Sequence, residues 1–328
     1  MKISVLESGS WGTALASVLA RNGHEVTLHS LHSARSALLR KTHENPKLPG
    51  VILPEELRFT DGFGGVEAAE AVFVVTPSVA VRQTAHALRG LVRDDALIVS
   101  AAKGIEKGSS LRMSEVIAEE LGARGRLVVL SGPSHAEEVG RGIPTGLVSA
   151  SEDRAAAESV QDMLMNRALR VYTSSDCVGV ELCGALKNII AICAGISFGL
   201  GYGDNTSAML MTRGLSEMTA LGEALGGARE TFAGLAGVGD LIVTCTSTHS
   251  RNRTAGFYIG QGMSVDEALK KVGAVVEGYY ATQSTLELSA RVKVEMPIAE
   301  ALGEVLFAGG DPGEATLKLM NRAKKGEE

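Results

Sequence analysis

Cysteine is scarce in this chain and never falls into a redox or metal-binding spacing. The four residues, Cys177, Cys183, Cys193 and Cys245, form no C-x-x-C pair. Cys183 and Cys193 lie in apolar surroundings and read as buried thiols rather than ligands, which fits a reducing, cytoplasmic setting. No H-E-x-x-H, aspartate-rich loop or Cys/His cluster occurs, so no metal is expected. Positive charge is in deficit, with 32 Lys and Arg against 38 Asp and Glu, a net charge of -6 and a pI of about 5.7. That balance gives no electrostatic footprint for nucleic acid or an anionic membrane; functional positive charge must be focused in a cleft. Long hydrophobic runs are missing too. The longest, around residues 189–200, is too short and too glycine-rich to span a bilayer, so no integral membrane segment is expected. The N-terminal apolar run is cut by Glu7 and carries no cleavage-site pattern, unlike a signal peptide. Repeats and low-complexity segments are also absent.

What remains is a chain of 328 residues, 45% hydrophobic and 21% charged, the composition of a globular protein of about two domains. Its first half alternates strand-like and helix-like segments. Strands are expected at Ile3–Leu6, Glu25–His29, Ala71–Thr76, Ala96–Ala101, Leu127–Leu130 and Gly146–Ser149, with helices such as Val79–Val92 and Met113–Leu121 among them. Such alternation predicts an α/β, Rossmann-like doubly wound, mainly parallel sheet covered on both faces. Beyond Asp176 long helical patterns take over: Val178–Ile196, Thr206–Leu225, Ser264–Lys271, Ala281–Ala290 and Pro297–Phe307. The expected division is a dinucleotide-binding domain over 1–175 and an all-α C-terminal substrate and catalytic domain over 176–328, ending in a frayed tail at Lys324–Glu328.

The most informative stretch is Cys183-Gly184-Ala185-Leu186-Lys187-Asn188-Ile189-Ile190-Ala191-Ile192, a lysine inside an apolar helical run. Positions three and four residues away hold Cys183, Gly184, Ile190 and Ala191, so no local ion pair explains the charge. Lys187 must snorkel to water, find a distant partner, or lower its pKa and become a usable acid or base.

Other segments also carry possible chemistry. Strand Lys2–Leu6 leads through Glu7-Ser8-Gly9-Ser10-Trp11-Gly12 into an apolar helix, the context of a dinucleotide fingerprint, with Glu7 where the first glycine belongs. Glutamate tolerates positive φ poorly, and its charge would point towards phosphate. Lys103, in Ala102-Lys103-Gly104, follows a strand end, where ligands of open α/β sheets bind; an exposed loop lysine is the plainer reading. Ser131-Gly132-Pro133-Ser134-His135 offers N–H and O–H donors for a phosphate or carboxylate, or is an ordinary turn. Gly237-Val238-Gly239 presents Asp240 on a glycine turn. Ser250-Arg251-Asn252-Arg253 suits a grip on phosphate, or a helix cap with surface arginines. Gly203-Asp204-Asn205-Thr206 reads as the N-cap of the next helix.

Together and in this order, these segments resemble the bacterial-type NAD(P)-dependent sn-glycerol-3-phosphate dehydrogenase family. The resemblance is carried by Gly9-Ser10-Trp11-Gly12-Thr13-Ala14-Leu15-Ala16, Ala102-Lys103-Gly104-Ile105-Glu106, Leu130-Ser131-Gly132-Pro133-Ser134, Gly179-Val180-Glu181-Leu182 and Ala185-Leu186-Lys187-Asn188. Gly203-Asp204-Asn205-Thr206, Thr212-Arg213-Gly214-Leu215, Gly239-Asp240-Leu241, Ser250-Arg251-Asn252-Arg253 and Val276-Glu277-Gly278 complete it, over nearly the whole chain. It implies interconversion of dihydroxyacetone phosphate and sn-glycerol 3-phosphate with NAD(P)H, supplying glycerol 3-phosphate for phospholipid synthesis in a cytoplasmic enzyme, expected to be a homodimer. By the same resemblance Lys187 is the acid/base residue, supported by Asp240, and Lys103 meets both cofactor and substrate. Gly132, Ser134, Ser250, Arg251 and Asn252 would hold the phosphorylated substrate. Gly9, Ser10, Trp11, Gly12, His32, Ala136, Arg251, Val275 and Glu277 would contact the dinucleotide.

Departures fall in the cofactor half. Glu7 replaces a glycine; His29-Ser30-Leu31-His32 has Leu31 where the family usually shows an arginine; no acid ends the second strand; and Asn45-Pro46-Lys47-Leu48-Pro49-Gly50 is one residue short of the familiar pattern. Ser30, His32 and Arg35 are candidates for a 2′-phosphate, and the choice between NADH and NADPH stays open. The departures leave two other readings: a dehydrogenase for another small phosphorylated ketone or hydroxyacid, or a non-catalytic metabolite sensor with impaired dinucleotide binding.

Overall fold

The computed structural model describes residues 1–122, 126–324 and 326. Two compact units divide the chain: Met1–Glu106 with Leu111–Glu181, and Lys107–Ser110 with Leu182–Glu328.

The first unit is built on eight strands: β1 (Lys2–Leu6), β2 (Glu25–Ser30), β3 (Arg58–Asp61), β4 (Ala71–Val74), β5 (Leu97–Ser100), β6 (Leu127–Ser131), β7 (Thr145–Ala150) and β8 (Leu169–Ser174). Their order is β3-β2-β1-β4-β5-β6-β7-β8, parallel throughout except for the β6–β7 pair. The first six strands follow the order of a dinucleotide-binding sheet. Side chains alternate between two cores, as a sheet covered on both faces requires. Ala71 and Phe73 of β4 enter one core with Ile3, Val5, Leu97 and Val99; Val72 and Val74 enter the other with Leu6 and Ile98. Helices α1 (Ser10–Arg21), α2 (Ser33–Thr42), α3 (Val81–Ala87), α4 (Met113–Leu121), α5 (Ala136–Gly140) and α6 (Arg154–Leu164) belong to this unit.

The expected doubly wound sheet is therefore present, with additions. β3 and β8 are edge strands, each paired on one side only, so their sequences lack the apolar density of the central strands. β8 alternates, burying Leu169 and Val171 and exposing Arg170 and Tyr172. Helix α6 also lay outside the sequence expectation. Its N-cap, Asp153, accepts from the N–H groups of Ala155 and Ala156 at 3.0 and 3.4 Å. The helix expected over Val79–Val92 is shorter, a 3-10 turn at Ser78–Ala80 followed by α3.

After β8 the chain is helical: α7 (Cys177–Gly199), α8 (Asp204–Ala224), α9 (Arg229–Ala233), α10 (Asp240–Thr246), α11 (Arg251–Gly260), α12 (Val265–Val272), α13 (Glu277–Val292), α14 (Pro297–Ala308) and α15 (Pro312–Met320). Helix α7 corrects the membrane argument drawn from the sequence. At 23 residues and a mean hydropathy of 1.7, it is long and apolar enough by those measures to cross a membrane. Instead 83% of its most apolar window is buried inside the protein. It is apolar nearly all round because it is a core helix. Glycines bring α11 against it: a Cβ on Gly195 or Gly199 would overlap the carbonyls of Arg253 or Phe257, and one on Gly256 or Gly260 those of Ile192 or Ile196. Gly203 is the N-cap of α8, within the segment expected to cap it. Part of the expected frayed tail, at Lys325, Glu327 and Glu328, lies outside the described residues.

Helix α14 opens with Pro297 at its first position, and its next two N–H groups, of Ile298 and Ala299, are received by the buried carboxylate of Glu217 on α8, at 2.8 and 3.4 Å. Burial pushes this carboxyl up to about 7 from its ordinary 4.5, against the pull of the two N–H groups. Between those two values the folded protein keeps a proton that the unfolded chain releases. Stability therefore falls as pH rises through that window and is level above it. At about 1.4 kcal/mol per pKa unit the drop is roughly 3 kcal/mol at most. Glu217→Gln keeps an acceptor for the helix end and should flatten stability between pH 5 and 8, measured by urea unfolding at each pH; a slope unchanged in the variant would assign the effect elsewhere.

Candidate active site

The loop from β1 to α1 is shaped by its glycines and by one residue that is not a glycine. Glu7 has φ of 87°, a conformation that costs a non-glycine residue of order 1–3 kcal/mol. Its N–H donates to the His29 carbonyl at 3.1 Å, and a Cβ on Gly12 would overlap its own carbonyl. The chain is thus held in the left-handed turn although glutamate occupies it. The carboxylate turns to α2, where Arg35 Nη1 meets Oε1 at 3.3 Å. The charge expected to point towards phosphate is paired with Arg35. Gly9 caps α1 with no side chain over the helix end, and the first turn holds no acid. Buried Asn45 braces the loop, its Nδ2 donating to Ser8 O at 3.0 Å and Thr13 Oγ1 at 2.6 Å.

These features fit a dinucleotide. The uncapped N–H groups of α1 suit a pyrophosphate, and nothing lies within 4 Å of a Cβ placed on Gly9. Ser8 Oγ and Trp11 Nε1 are buried and without a hydrogen-bond partner among the described residues. Thr76 Oγ1, Ser100 Oγ and Ser131 Oγ, at or just beyond the carboxyl ends of β4, β5 and β6, are in the same condition. Buried polar groups are normally satisfied, and this edge of an open α/β sheet is where ligands bind. His32 is the exposed N-cap of α2; its N–H donates to Ser30 Oγ at 3.2 Å.

Lys103, Gly132, Ser134 and Ala136 come together beyond β5 and β6. Lys103 Nζ and Ser134 Oγ both donate to the Gly132 carbonyl, at 3.0 and 2.9 Å. Gly132 has φ of 129°, and a Cβ there would stand 3.1 Å from the Gly146 carbonyl, so only glycine fits. Ala136 is the buried first residue of α5.

In the helical unit the Lys187 ammonium is 5% exposed, which excludes snorkelling. It has the distant partner that the sequence required: Nζ lies 2.5 Å from Asp240 Oδ1 and 2.8 Å from Thr244 Oγ1. Asp240 is 1% exposed. The glycine turn expected before it is a π-helical turn, Leu235–Gly239, which runs directly into α10 with Asp240 as first residue. Such single π-turns recur at functional sites. Thr244, one turn further on the same face, also donates to the Asp240 carbonyl at 2.6 Å. Thr244 was missed in the sequence; its signal is the four-residue spacing from Asp240.

Ser250 is the N-cap of α11, its Oγ accepting from Arg253 N–H at 3.2 Å. The cap reading of this segment is therefore the observed one, and it leaves Arg251 exposed at the helix start with no hydrogen-bond partner among the described residues. Asn252 is buried: Nδ2 donates to Asn188 Oδ1 and Oδ1 accepts from Gly278 N–H, both at 2.9 Å. This pair of bonds joins α7, α11 and the start of α13, beside Val275 and Glu277. Asn188, adjacent to Lys187, is the second residue whose part the sequence did not disclose.

Removing one partner of a buried ion pair strands the other charge, which costs about 3–5 kcal/mol. Asp240→Ala should destabilise the protein by that amount in urea unfolding, and the Lys187→Met/Asp240→Leu double variant by clearly less. A double variant as unstable as the sum of the singles would mean that the two groups do not share their burial.

Comparison with known proteins agrees with this arrangement. The model described as NAD-dependent glycerol-3-phosphate dehydrogenase N-terminus matches residues 2–157, and its C-terminal counterpart residues 176–317. A Desulfitobacterium hafniense glycerol-3-phosphate dehydrogenase (NAD(P)+) is 53% identical over 99% of this chain and 93% of its own length. One from a Thermoanaerobacter species is 52% identical over 100% and 99%. The crystal structure of glycerol-3-phosphate dehydrogenase from Coxiella burnetii superposes with a TM-score of 0.94 at 38% identity, over 98% of this chain and 99% of that one. With both halves matched and relatives more than 50% identical over nearly the whole chain, the chain belongs to the NAD-dependent glycerol-3-phosphate dehydrogenase family.

Proposed function

We propose that this protein is an NAD(P)-dependent oxidoreductase that interconverts dihydroxyacetone phosphate and sn-glycerol 3-phosphate. The observation that carries the reading is the buried Lys187 ammonium held by Asp240 and Thr244. A charge so deep in an apolar helix is costly, and a fixed proton source for a developing alkoxide is a use that justifies it.

The dinucleotide supplies or accepts the hydride. In the reducing direction the carbonyl π pair moves onto the ketone oxygen, and Lys187 Nζ stabilises that oxygen and gives it a proton; in the reverse direction Lys187 takes the hydroxyl proton. Asp240 fixes the ammonium in place and favours its charged form. Thr244 narrows the directions in which the N–H bonds point. Arg251, exposed at a capped helix start, is assigned to the substrate phosphate, with Ser250 and Asn252 fixing that helix end. A grip on this remote group orients the carbonyl. Lys103, Gly132 and Ser134 are assigned to the substrate, and Gly9, Ser10, Trp11, Gly12, His32, Ala136, Val275 and Glu277 to the dinucleotide. The same reading places the enzyme in the cytoplasm as a homodimer, with residues 1–175 and 176–328 as its functional halves, making glycerol 3-phosphate for phospholipid synthesis.

The assay follows oxidation of NADH and NADPH, separately, with dihydroxyacetone phosphate. Lys187→Ala should lower kcat by about 10²–10⁴-fold, the usual reach of a general acid. Arg251→Met should lower kcat/KM for dihydroxyacetone phosphate by about 10–100-fold, the loss of a charged hydrogen bond, and leave phosphate-free dihydroxyacetone nearly unaffected. Equal losses on both substrates would remove Arg251 from the phosphate site. Folded wild-type protein that binds glycerol 3-phosphate but turns over with neither nucleotide would replace the dehydrogenase by a sensor.

A further inference from the structure

We infer that Glu7 sets the choice of dinucleotide: from the end of β1 its carboxylate receives the adenosine ribose 2′-hydroxyl, and the site thereby takes NAD(H) in preference to NADP(H). The inference rests on the dinucleotide reading above and specifies it.

In a sheet of this order the acid that meets the ribose diol ordinarily stands near the end of the second strand. Here β2 ends at Ser30 and is followed by Leu31, which is 56% exposed. No carboxylate is offered from that strand end. Glu7 stands against the same place. Its N–H is bonded to the carbonyl of His29, and Glu7, His29, Ser30, Leu31 and Thr76 line one recess at the carboxyl ends of β1, β2 and β4. The positive φ of Glu7 is kept by that bond and by the close approach of Gly12, which fixes the direction of its Cβ, and Arg35 meets the carboxylate at 3.3 Å. An observed backbone outlier at a binding loop is grounds for a functional hypothesis.

Charge gives the direction of the preference. Arg35 is the arginine nearest to hand for a 2′-phosphate, and its Nη1 is already on Glu7 Oε1. Glu7 Oε2 has no hydrogen bond among the described residues. A carboxylate oxygen accepts a hydroxyl and repels a phosphate. His29 does not offset this: its ring nitrogens are engaged by Ser4 Oγ and the Gly62 carbonyl, and burial pushes its pKa down, towards the neutral form. A 2′-phosphate would have to withdraw Arg35 from Glu7 while facing the Glu7 charge at fixed backbone.

The protein provides its own probe, because Trp11 is the single tryptophan and lies in this loop. Its fluorescence is titrated with NADH and with NADPH, without substrate. Wild-type protein should bind NADH at least about tenfold more tightly, the worth of one hydrogen bond to a charged group. Glu7→Gln keeps an acceptor and removes the charge. It should strengthen NADPH binding by about tenfold and change NADH binding less, bringing the two affinities together. Glu7→Gly, which also removes the backbone strain, should narrow the ratio in the same way, so a misfolded glutamine variant does not shield the inference. Wild-type protein that binds the two nucleotides equally, or NADPH more tightly, overturns the inference and leaves the dehydrogenase reading standing. So does a ratio that neither variant moves. Folded wild type that binds neither nucleotide overturns the dinucleotide reading, and this inference with it.

Discussion

One buried ammonium organises the helical unit. Lys187 sits on a mostly apolar helix, and its ammonium is held by Asp240 and Thr244. Asp240 and Thr244 must arrive from 53 and 57 residues away in sequence and reach the same nitrogen. A π-turn ahead of α10 sets the phase of that helix so that both face inward. The neighbouring Asn188 is tied to Asn252 and through it to Gly278, which registers α11 and α13 against the helix that carries the lysine. The glycines of α7 and α11 belong to the same requirement, because those hydrogen bonds need backbones closer than side chains would allow. A buried ion pair of this kind is weak evidence for stability, because well-packed apolar replacements are often close to neutral.

The sheet unit answers a different constraint, that of leaving polar groups unanswered where a ligand is to come. Ser8, Trp11, Thr76, Ser100 and Ser131 keep buried donors or acceptors without partners among the described residues, all at one edge of the sheet. Elsewhere in the same unit, Ser17 Oγ on α1 excepted, most buried polar groups are closed off. Glu181 is the clearest case. Burial raises its pKa and Arg112 opposes that, while Ser114 N–H and Arg112 Nη1 hold its oxygens at 2.8 and 2.6 Å. The contrast lies between a carboxylate that is fully satisfied and a row of hydroxyls at the carboxyl ends of the strands that are not.

Much of this was legible in the amino-acid order, and the failures have physical causes. Central strands announce themselves because both faces are buried; β3 and β8, at the edges, do not. The lysine could be recognised as anomalous from its own neighbours, since the absence of a carboxylate at helical spacing is a local fact. Its partner could be named only through a family resemblance, because nothing in the intervening chain states which aspartate, here 53 residues away, will fold back. Thr244 and Asn188 were overlooked for the same reason: a hydroxyl and an amide are unremarkable until their hydrogen bonds are seen. The helix-cap reading of Ser250 was right, and the cap leaves Arg251 exposed at the helix start.

Glu7 is the residue at which local and global preferences disagree most openly. Turn chemistry asks for glycine, and the chain supplies a charged side chain in the left-handed region. Proteins that break a local rule usually do so at functional positions. The breach is supported from three sides, by the His29 carbonyl, by the bare Cα of Gly12 and by Arg35. A glycine at this position would carry no such strain. A supported carboxylate at the mouth of a nucleotide loop, on a sheet whose second strand ends without an acid, is the arrangement expected if the acid has been moved from one strand end to the next rather than lost.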